Sequence, residues 1–221
     1  MNTALTLLAI SKRYRGHVAL DGVTLSVMNG ETLGLIGANG AGKTTLLRIG
    51  AGLLRPTAGR VVRESPTPAG ALRYFGGEHT LPPQVRARDW HALWNARAAA
   101  STTPRRFGVL SRGTRQRIGL DAVLGADDVG LLLLDEPWEG LDPDASRWLS
   151  EALARQRDRG AGIILSSHRI HDLASVCDRC EFLVGGRLAA QRVICTPNVT
   201  LEERTAALFN GYDEARRTCG R

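Results

Sequence analysis

The sequence predicts an α/β fold with a largely parallel sheet, on the basis of three observations. A glycine-rich loop at residues 37–45 lies between an apolar segment and a helical one. Two further apolar segments, residues 131–134 and 163–165, are short and bounded by glycine or polar residues, which is typical of buried parallel strands. Helical patterns alternate with these strands along the chain, as they do in α/β folds.

The order of the elements follows from the hydrophobic period and from the turn-forming residues. The predicted strands are residues 5–10, 23–28, 32–36, 59–63, 72–75, 130–134 and 163–166. The predicted helices begin after the glycine-rich loop and reach about residue 53, and then cover residues 89–100, 112–123, 143–157 and 201–217. Four prolines between positions 66 and 83 indicate a loop-rich stretch before the second helix.

The composition limits the class of protein. A chain of 221 residues is long enough for one α/β domain with a small subdomain. No apolar stretch is long enough to span a bilayer and no secretory signal is evident, so we expect a soluble, cytoplasmic protein. The net charge of +7 is carried almost wholly by arginines. Because they are dispersed, they favour a solvated surface, with a membrane surface or nucleic acid as alternative partners.

The glycine-rich loop fits the phosphate-binding pattern G-x-x-x-x-G-K-[ST]. Its residues are Gly37, Ala38, Asn39, Gly40, Ala41, Gly42, Lys43, Thr44 and Thr45. Glycines let successive backbone N–H groups converge on an anion, and the start of the following helix adds a favourable dipole. We therefore expect Lys43 to reach the β- and γ-phosphates of a nucleotide and the Thr44 hydroxyl to bind Mg²⁺.

Two carboxylates follow the apolar segment 131–134 directly. In open α/β sheets, ligands bind at this end of the strands. We expect Asp135 to face the Mg²⁺ ion of a bound nucleotide, and Glu136 to orient or deprotonate the water that attacks the γ-phosphate. A pair of solvated acids is the alternative, which the upstream phosphate loop disfavours. Cys177 and Cys180 form a C-x-x-C pattern without further zinc ligands, which indicates incidental thiols.

Together with three further motifs, this series resembles the nucleotide-binding subunits of ABC transporters, over nearly the whole chain. The further motifs are Leu110, Ser111, Arg112, Gly113 and Thr114 before the acidic strand, Gly140, Leu141, Asp142 and Pro143 after it, and then Ser166, Ser167 and His168. The resemblance implies one P-loop NTPase domain over residues 1–221, with a RecA-like core, an antiparallel β subdomain and a short helical subdomain. Residues 1–77 would hold the β subdomain and the phosphate-loop part of the core. Residues 78–124 would hold the helical subdomain and the signature motif, and residues 125–221 the second part of the core and the C-terminal helix.

The resemblance also implies roles for individual residues. Tyr14 would stack on adenine with Val18 beside it, although a strand-edge tyrosine is the alternative. The signature residues, Ser111, Arg112, Gly113 and Thr114, would bind the γ-phosphate of ATP held by an opposite subunit in a head-to-tail dimer. Asp142 would communicate between the two sites. His168 would contact the γ-phosphate and hold the attacking water, or would serve only as a structural histidine.

The chain departs from the family pattern in two places. The glutamine that the family places two residues after the strand 72–75 is here Gly77, while Gln84 lies too late and Glu78 is a possible substitute. The family's L-S-G-G-Q is here Leu-Ser-Arg-Gly-Thr, so that Arg112 either adds charge near the triphosphate or points to solvent. Trp90 and Trp94, at helical spacing, would line a groove for a helix of a membrane subunit or simply pack the subdomain.

These residues predict an ATP-hydrolysing subunit, with ATP and Mg²⁺ as cofactors, that powers a separate membrane permease. Its compact length and glutamine-free loop resemble those of small exporter ATPases. It would lie on the inner face of the membrane and pair with an identical or a different ATPase subunit. Two alternatives stay open: a soluble nucleotide-gated switch acting on nucleic acid or ribosomes, and a regulatory subunit that has lost catalysis.

Overall fold

The computed structural model describes residues 2–63, 72–93, 103–125, 129–195 and 198–219. Its strands are β1 (Thr3–Tyr14), β2 (His17–Met28), β3 (Thr32–Ile36), β4 (Ala58–Val62), β5 (Leu72–Phe75), β6 (Leu131–Asp135), β7 (Gly162–Ser167), β8 (Arg179–Val184) and β9 (Arg187–Ile194). Its α-helices are α1 (Lys43–Gly50), α2 (Ala87–Leu93), α3 (Arg112–Leu124), α4 (Pro143–Asp158), α5 (Ile170–Ala174) and α6 (Leu201–Cys219). Short 3₁₀ turns lie at Glu78–Thr80 and Phe107–Val109.

A six-stranded sheet in the order β5-β6-β7-β3-β8-β9 forms the centre of the fold. The first five of these strands are parallel, and only β9 runs antiparallel to its neighbour β8. The carboxyl ends of β3, β6 and β7 therefore meet at one edge. The register places Asp135 opposite Ser166, and Ile36 opposite Ser167, so the phosphate loop, the acidic pair after β6 and the segment that ends in His168 leave the sheet side by side.

A second sheet, in the order β2-β1-β4, is antiparallel throughout. Its strands β1 and β2 are joined by a tight turn at residues 15–16 and pair from Thr3 with Met28 to Tyr14 with His17. This turn brings the exposed Tyr14 to the end of the sheet that lies nearest the phosphate loop.

Hydrophobic cores lie on both faces of the central sheet. Leu131 and Leu133 of β6 pack toward the antiparallel sheet and α1, whereas Leu132 and Leu134 pack toward α3, α4 and α5. All four leucines are almost fully buried. A continuous apolar strand is expected where both faces of a parallel sheet are covered by other elements.

The predicted α/β class and parallel sheet are confirmed. The strand at residues 59–63 is shifted by one residue in the structure, and the first helix ends at Gly50 instead of near residue 53. Strands β8 and β9 and the short helix α5 were not predicted. In β9, only Ala189 is buried, and polar residues such as Arg187 and Gln191 interrupt the apolar ones, so its apolar signal is weak.

The second helix begins at Ala87, two residues before its predicted start, and residues 94–100 of that prediction lie outside the described residues. Trp90 packs edge-on against the buried ring of Phe107, with ring centroids 5.9 Å apart. This contact supports the packing interpretation for Trp90, while Trp94 is not among the described residues.

Candidate functional site

The phosphate loop leads from β3 into α1, which begins at Lys43 directly after Gly42. Gly42 has a φ of +106°, and a Cβ atom there would lie 2.6 Å from the carbonyl oxygen of Ala19. Only glycine therefore fits this position. The requirement follows from the loop passing close beside strand β2, and it explains the glycine that comes before the lysine in the motif.

The Lys43 ammonium is buried at the centre of the loop, with a side chain only 6% exposed. It donates hydrogen bonds to the carbonyl oxygens of Gly37 at 2.7 Å and Ala38 at 3.3 Å. It also lies 3.1 Å from Oε1 of Glu136. A buried ammonium needs such anionic or carbonyl partners, because leaving its charge unpaired away from water is costly.

Asp135 is held by hydroxyl groups on both sides. Its Oδ2 accepts a hydrogen bond from Thr44 Oγ1 at 2.5 Å, and its Oδ1 accepts one from Ser166 Oγ at 2.5 Å. The carboxylate and the Thr44 hydroxyl are the oxygen donors that Mg²⁺ prefers, and in nucleotide sites the phosphates and water complete the coordination. The residues present therefore fit a nucleotide-bound Mg²⁺ ion.

Glu136 adopts a backbone conformation that is unusual for a residue with a side chain. Its φ is +47°, in the left-handed region, and its backbone N–H donates to the carbonyl and hydroxyl oxygens of Ser166 at 3.2 and 3.1 Å. Its Oε2 lies 2.9 Å from Nδ1 of His168. Strained backbone of this kind concentrates at functional sites, and here it turns the carboxylate toward Lys43 and His168.

A cavity of about 300 Å³ lies between the phosphate loop and the antiparallel sheet. It is lined by Tyr14, His17, Ala19, Ala38, Asn39, Gly40, Gly42, Lys43, Thr44, Thr45 and Glu136. Tyr14 is 47% exposed, so its ring is accessible from this cavity. Val18 is also exposed, but it is not among the residues that line the cavity.

The signature residues do not line the cavity beside the phosphate loop. Ser111, Gly113 and Thr114 line a second cavity, of about 480 Å³, together with Asp142 and the residues around it. The Ser111 hydroxyl caps α3 by accepting a hydrogen bond from the backbone N–H of Thr114 at 3.2 Å. Within one chain, the phosphate loop and the signature motif thus face separate cavities that share no lining residue.

Asp142 is the N-terminal cap of α4. Its Oδ1 accepts a hydrogen bond from the backbone N–H of Ala145 at 2.7 Å, and Pro143 occupies the first turn of the helix. This combination is a common way to begin a helix. Asp142 therefore has a structural role in addition to any contact across a dimer.

Gly77 does more than lack a glutamine side chain. Its φ of +93° and ψ of 167° lie in a region that is essentially restricted to glycine. The backbone of this loop is therefore not the one a glutamine would adopt. The following residue, Glu78, directs its carboxylate to Arg112 and Arg115 of α3, at 3.2 and 2.7 Å.

Arg112, whose orientation the sequence left open, lies in the first turn of α3. Its side chain is about half exposed, but its guanidinium is paired within the chain, with Glu78 at 3.2 Å and with Glu139 at 2.5 Å. Arg112 therefore links the start of α3 by ion pairs to the segments that contain Glu78 and Glu139.

The sequence suggested no individual role for either Ser166 or Gln116. Ser166 holds both Asp135 and Glu136, and Gln116, which is 1% exposed, donates to the carbonyl oxygen of Pro137 at 2.9 Å. The position of Ser166 at the end of a strand, two residues before His168, was the available signal. A polar residue within the buried face of α3 was the signal for Gln116.

The four cysteines are free thiols. Cys177, Cys180 and Cys195 are buried and free. A hydrogen bond with the Cys177 thiol, together with burial, raises the pKa of Cys180 well above its usual value, so this thiol stays protonated. Over the ranges of the chain given above, no three histidine, cysteine or acidic side chains are grouped to hold a metal ion. In the same ranges, no helix has the length and apolarity to span a membrane.

Comparison with known proteins agrees with this geometry. Residues 20–139 match the family model described as "ABC transporter". The chain is 29% identical to the uncharacterized ABC transporter ATP-binding protein YhcH of Bacillus subtilis (strain 168), over 100% of this chain and 83% of the relative. It is 31% identical to the Nod factor export ATP-binding protein I of Neorhizobium galegae, over 85% of this chain and 61% of that protein.

A solved structure of the dimeric ATP-binding cassette MJ0796, in a post-hydrolysis state bound to ADP and Pi, matches with a TM-score of 0.74. It is 19% identical, and the match covers 87% of this chain and 99% of the other. The chain belongs to the ATP-binding family of ABC transporters and is an ATPase with the P-loop fold. The two relatives favour a transporter subunit over a switch that acts on nucleic acid.

Proposed function

We propose that this chain hydrolyses ATP in a head-to-tail dimer and thereby drives export through a separate membrane permease. The separation of the two cavities is the observation that supports a dimer. A phosphate loop and a signature motif that face different cavities of one chain can act on one nucleotide only if a second subunit supplies the missing half. That subunit is either a second copy of this chain or a related ATPase.

The phosphate-loop half binds the nucleotide. Lys43 and the loop amides bind the β- and γ-phosphates, and Tyr14 stacks on adenine with Val18 at the rim. Thr44 and Asp135 would hold Mg²⁺, which neutralises charge on the phosphates when bound. Both residues already share a short hydrogen bond, so their oxygens are close enough to serve one ion.

The catalytic step depends on Glu136 and His168. Glu136 orients a water molecule and accepts its proton as the water attacks the γ-phosphate and the bond to ADP breaks. His168 lies 2.9 Å from the Glu136 carboxylate, so it can fix that carboxylate and contact the γ-phosphate. Ser111, Gly113 and Thr114 would close the site from the opposite subunit, and Asp142 would connect the two sites.

The proposals of export and of a membrane partner are based on the relatives of this chain. A protein 31% identical to this chain is named as a Nod factor export ATP-binding protein. We place the chain at the cytoplasmic face of the membrane, bound to the permease that selects the exported compound. The direction of transport is the part of the proposal that depends most on this likeness.

The dimer can be tested by the dependence of activity on protein concentration. If two chains form each site, the specific ATPase activity of the purified protein rises with concentration below the dimer dissociation constant and then reaches a plateau. A monomer by sedimentation, with constant specific activity over about a 100-fold dilution, would contradict the proposal. Stimulation of the activity by a membrane protein that co-purifies with the chain tests the permease.

A further inference from the structure

The two places where this chain departs from the family's motifs contact each other. Glu78 follows Gly77 in the loop that lacks the glutamine, and Arg112 replaces the first glycine of the signature motif. Oε1 of Glu78 lies 3.2 Å from Nε of Arg112, and its Oε2 lies 2.7 Å from Nε of Arg115. One carboxylate therefore joins the loop after β5 to the first turn of α3.

The same loop is connected through the backbone to the segment that carries Glu136. The N–H of Glu78 donates to Oε1 of Gln116 at 2.8 Å, and Nε2 of Gln116 donates to the carbonyl oxygen of Pro137 at 2.9 Å. The Gln116 side chain is buried, and its hydrogen bond to Pro137 is fully shielded from water, which strengthens it. The side-chain amide of Gln116 therefore links Glu78 to Pro137, the residue that follows Glu136.

A second connection joins α3 to the segment of residues 136–140. Arg112 is paired with Glu139 at 2.5 Å, and the backbone N–H of Glu139 donates to the carbonyl oxygen of Glu136 at 3.1 Å. A Cβ atom added to Gly113 would lie 2.6 Å from the carbonyl oxygen of Gly140, so the two backbones are in close contact. The start of α3 therefore packs against residues 136–140.

We call this set the Glu78 clamp. Its members are Glu78, Arg112, Arg115, Gln116 and Glu139. The Glu78 side chain is only 13% exposed, whereas those of Arg112 and Glu139 are 54% and 49% exposed. Exposed ion pairs contribute little, but a carboxylate that is largely removed from water depends on its cationic partners. Glu78 is therefore the member on which the clamp depends, and the pair with Glu139 is secondary.

We propose that Glu78 is a positioning residue for ATP hydrolysis in this chain. Its charge fixes the first turn of α3, with Ser111 and Gly113, against the segment that carries Glu136. The signature motif and the catalytic carboxylate consequently keep one relative position. This inference rests on the proposed function, and it gives Arg112 a partner within its own chain instead of the phosphate of the opposite nucleotide.

The first test is Glu78→Gln, which keeps the shape of the side chain and removes its charge. We expect kcat to fall about 5- to 10-fold, while the Kd for ATP of the isolated chain stays within about 2-fold, because the phosphate loop is untouched. The matched control is Glu151→Gln, which removes an exposed glutamate that pairs with Arg155 at only 3.9 Å. It should leave both quantities unchanged. An unchanged kcat for Glu78→Gln would overturn the proposal.

The second test is a double-mutant cycle with Arg112→Gly, which restores the family's residue. Alone, Arg112→Gly should lower kcat about 2- to 3-fold, and on the Glu78→Gln background it should cause no further loss. Losses that multiply would show that the two residues act independently, and the clamp would then be wrong.

The third test does not depend on turnover. Amide hydrogen exchange should become faster at residues 111–116 and 136–140 together in Glu78→Gln, and stay unchanged at residues 37–45. Unchanged exchange in either clamped segment would reject the clamp. If the unaltered protein hydrolyses ATP and Glu136→Gln does not, that rejection leaves the proposed function intact. If no form of the protein hydrolyses ATP, the proposed function fails and the exchange result alone decides whether the clamp exists.

Discussion

The phosphate-loop half of the site and the signature half are held in place by different forces. In the first, buried backbone contacts and sheet register fix Lys43, Asp135 and Glu136, which are all largely shielded from water. In the second, ion pairs from the largely buried carboxylate of Glu78 to Arg112 and Arg115 fix the start of α3. The first half follows the family pattern closely, whereas the second carries both departures. The two halves of the site therefore differ in how their functional side chains are positioned.

The largest effect should come from the catalytic carboxylate in the first half. Glu136→Gln keeps the size of the side chain but removes the proton acceptor, so kcat should fall about 100-fold or more while ATP still binds. Steady-state hydrolysis and equilibrium binding of ATP measure the two quantities. Glu202→Gln, on the exposed start of α6, is the control. Hydrolysis at the parental rate would remove Glu136 from its role as the base.

Loss of the buried ammonium should mainly affect binding. Lys43→Ala removes the charge that pairs with the β- and γ-phosphates, so the Kd for ATP should rise about 10- to 100-fold, as expected for charge-assisted hydrogen bonds. Isothermal titration measures the change. Arg147→Ala, which removes a cation that is 72% exposed on α4, should leave the Kd unaltered. If Lys43→Ala binds ATP normally, the loop is not the phosphate site.

Ser166 sharpens the comparison, because its individual role was found only in the structure. Ser166→Ala removes the hydrogen bonds to Asp135 and to the strained backbone of Glu136. We expect kcat to fall about 10-fold and the free energy of unfolding to fall by about 1–3 kcal/mol. Ser167→Ala, next to it on β7, removes only a hydrogen bond from the backbone N–H of Arg169 and is the control. Equal effects of the two changes on kcat would deny Ser166 a specific role.

The smallest effect should come from the rim of the first cavity. Tyr14→Ala removes the ring expected to stack on adenine, and the Kd for ATP should rise about 5- to 10-fold, at the lower end for base–aromatic stacking because the ring is exposed. Tyr14→Phe keeps the ring and should bind as the parent does. A normal Kd for Tyr14→Ala would leave Tyr14 as an ordinary strand-edge residue.

The difference between the phosphate-loop half and the signature half also explains how much could be predicted from sequence. Phosphate binding and a buried acidic strand impose residue types at fixed spacing, so the phosphate loop, the segment 131–136 and the α/β class could be predicted directly. Strands β8 and β9 could not, because polar residues interrupt their apolar ones, namely Arg179 and Glu181 in β8 and Arg187, Gln191 and Arg192 in β9. The partners of Arg112 also could not, since Glu78 and Glu139 reach it from distant parts of the chain.

The central claim is that the site is completed by a second subunit, and ATP-driven association tests it most directly. Light scattering of Glu136→Gln should show a monomer of 23.8 kDa in buffer and about twice that mass with ATP and Mg²⁺. Adding Ser111→Asp, which preserves the helix cap but places a negative charge against the triphosphate, should abolish the association while leaving ATP binding intact. A protein saturated with ATP that remains monomeric, or a dimer that Ser111→Asp does not disturb, would contradict the claim.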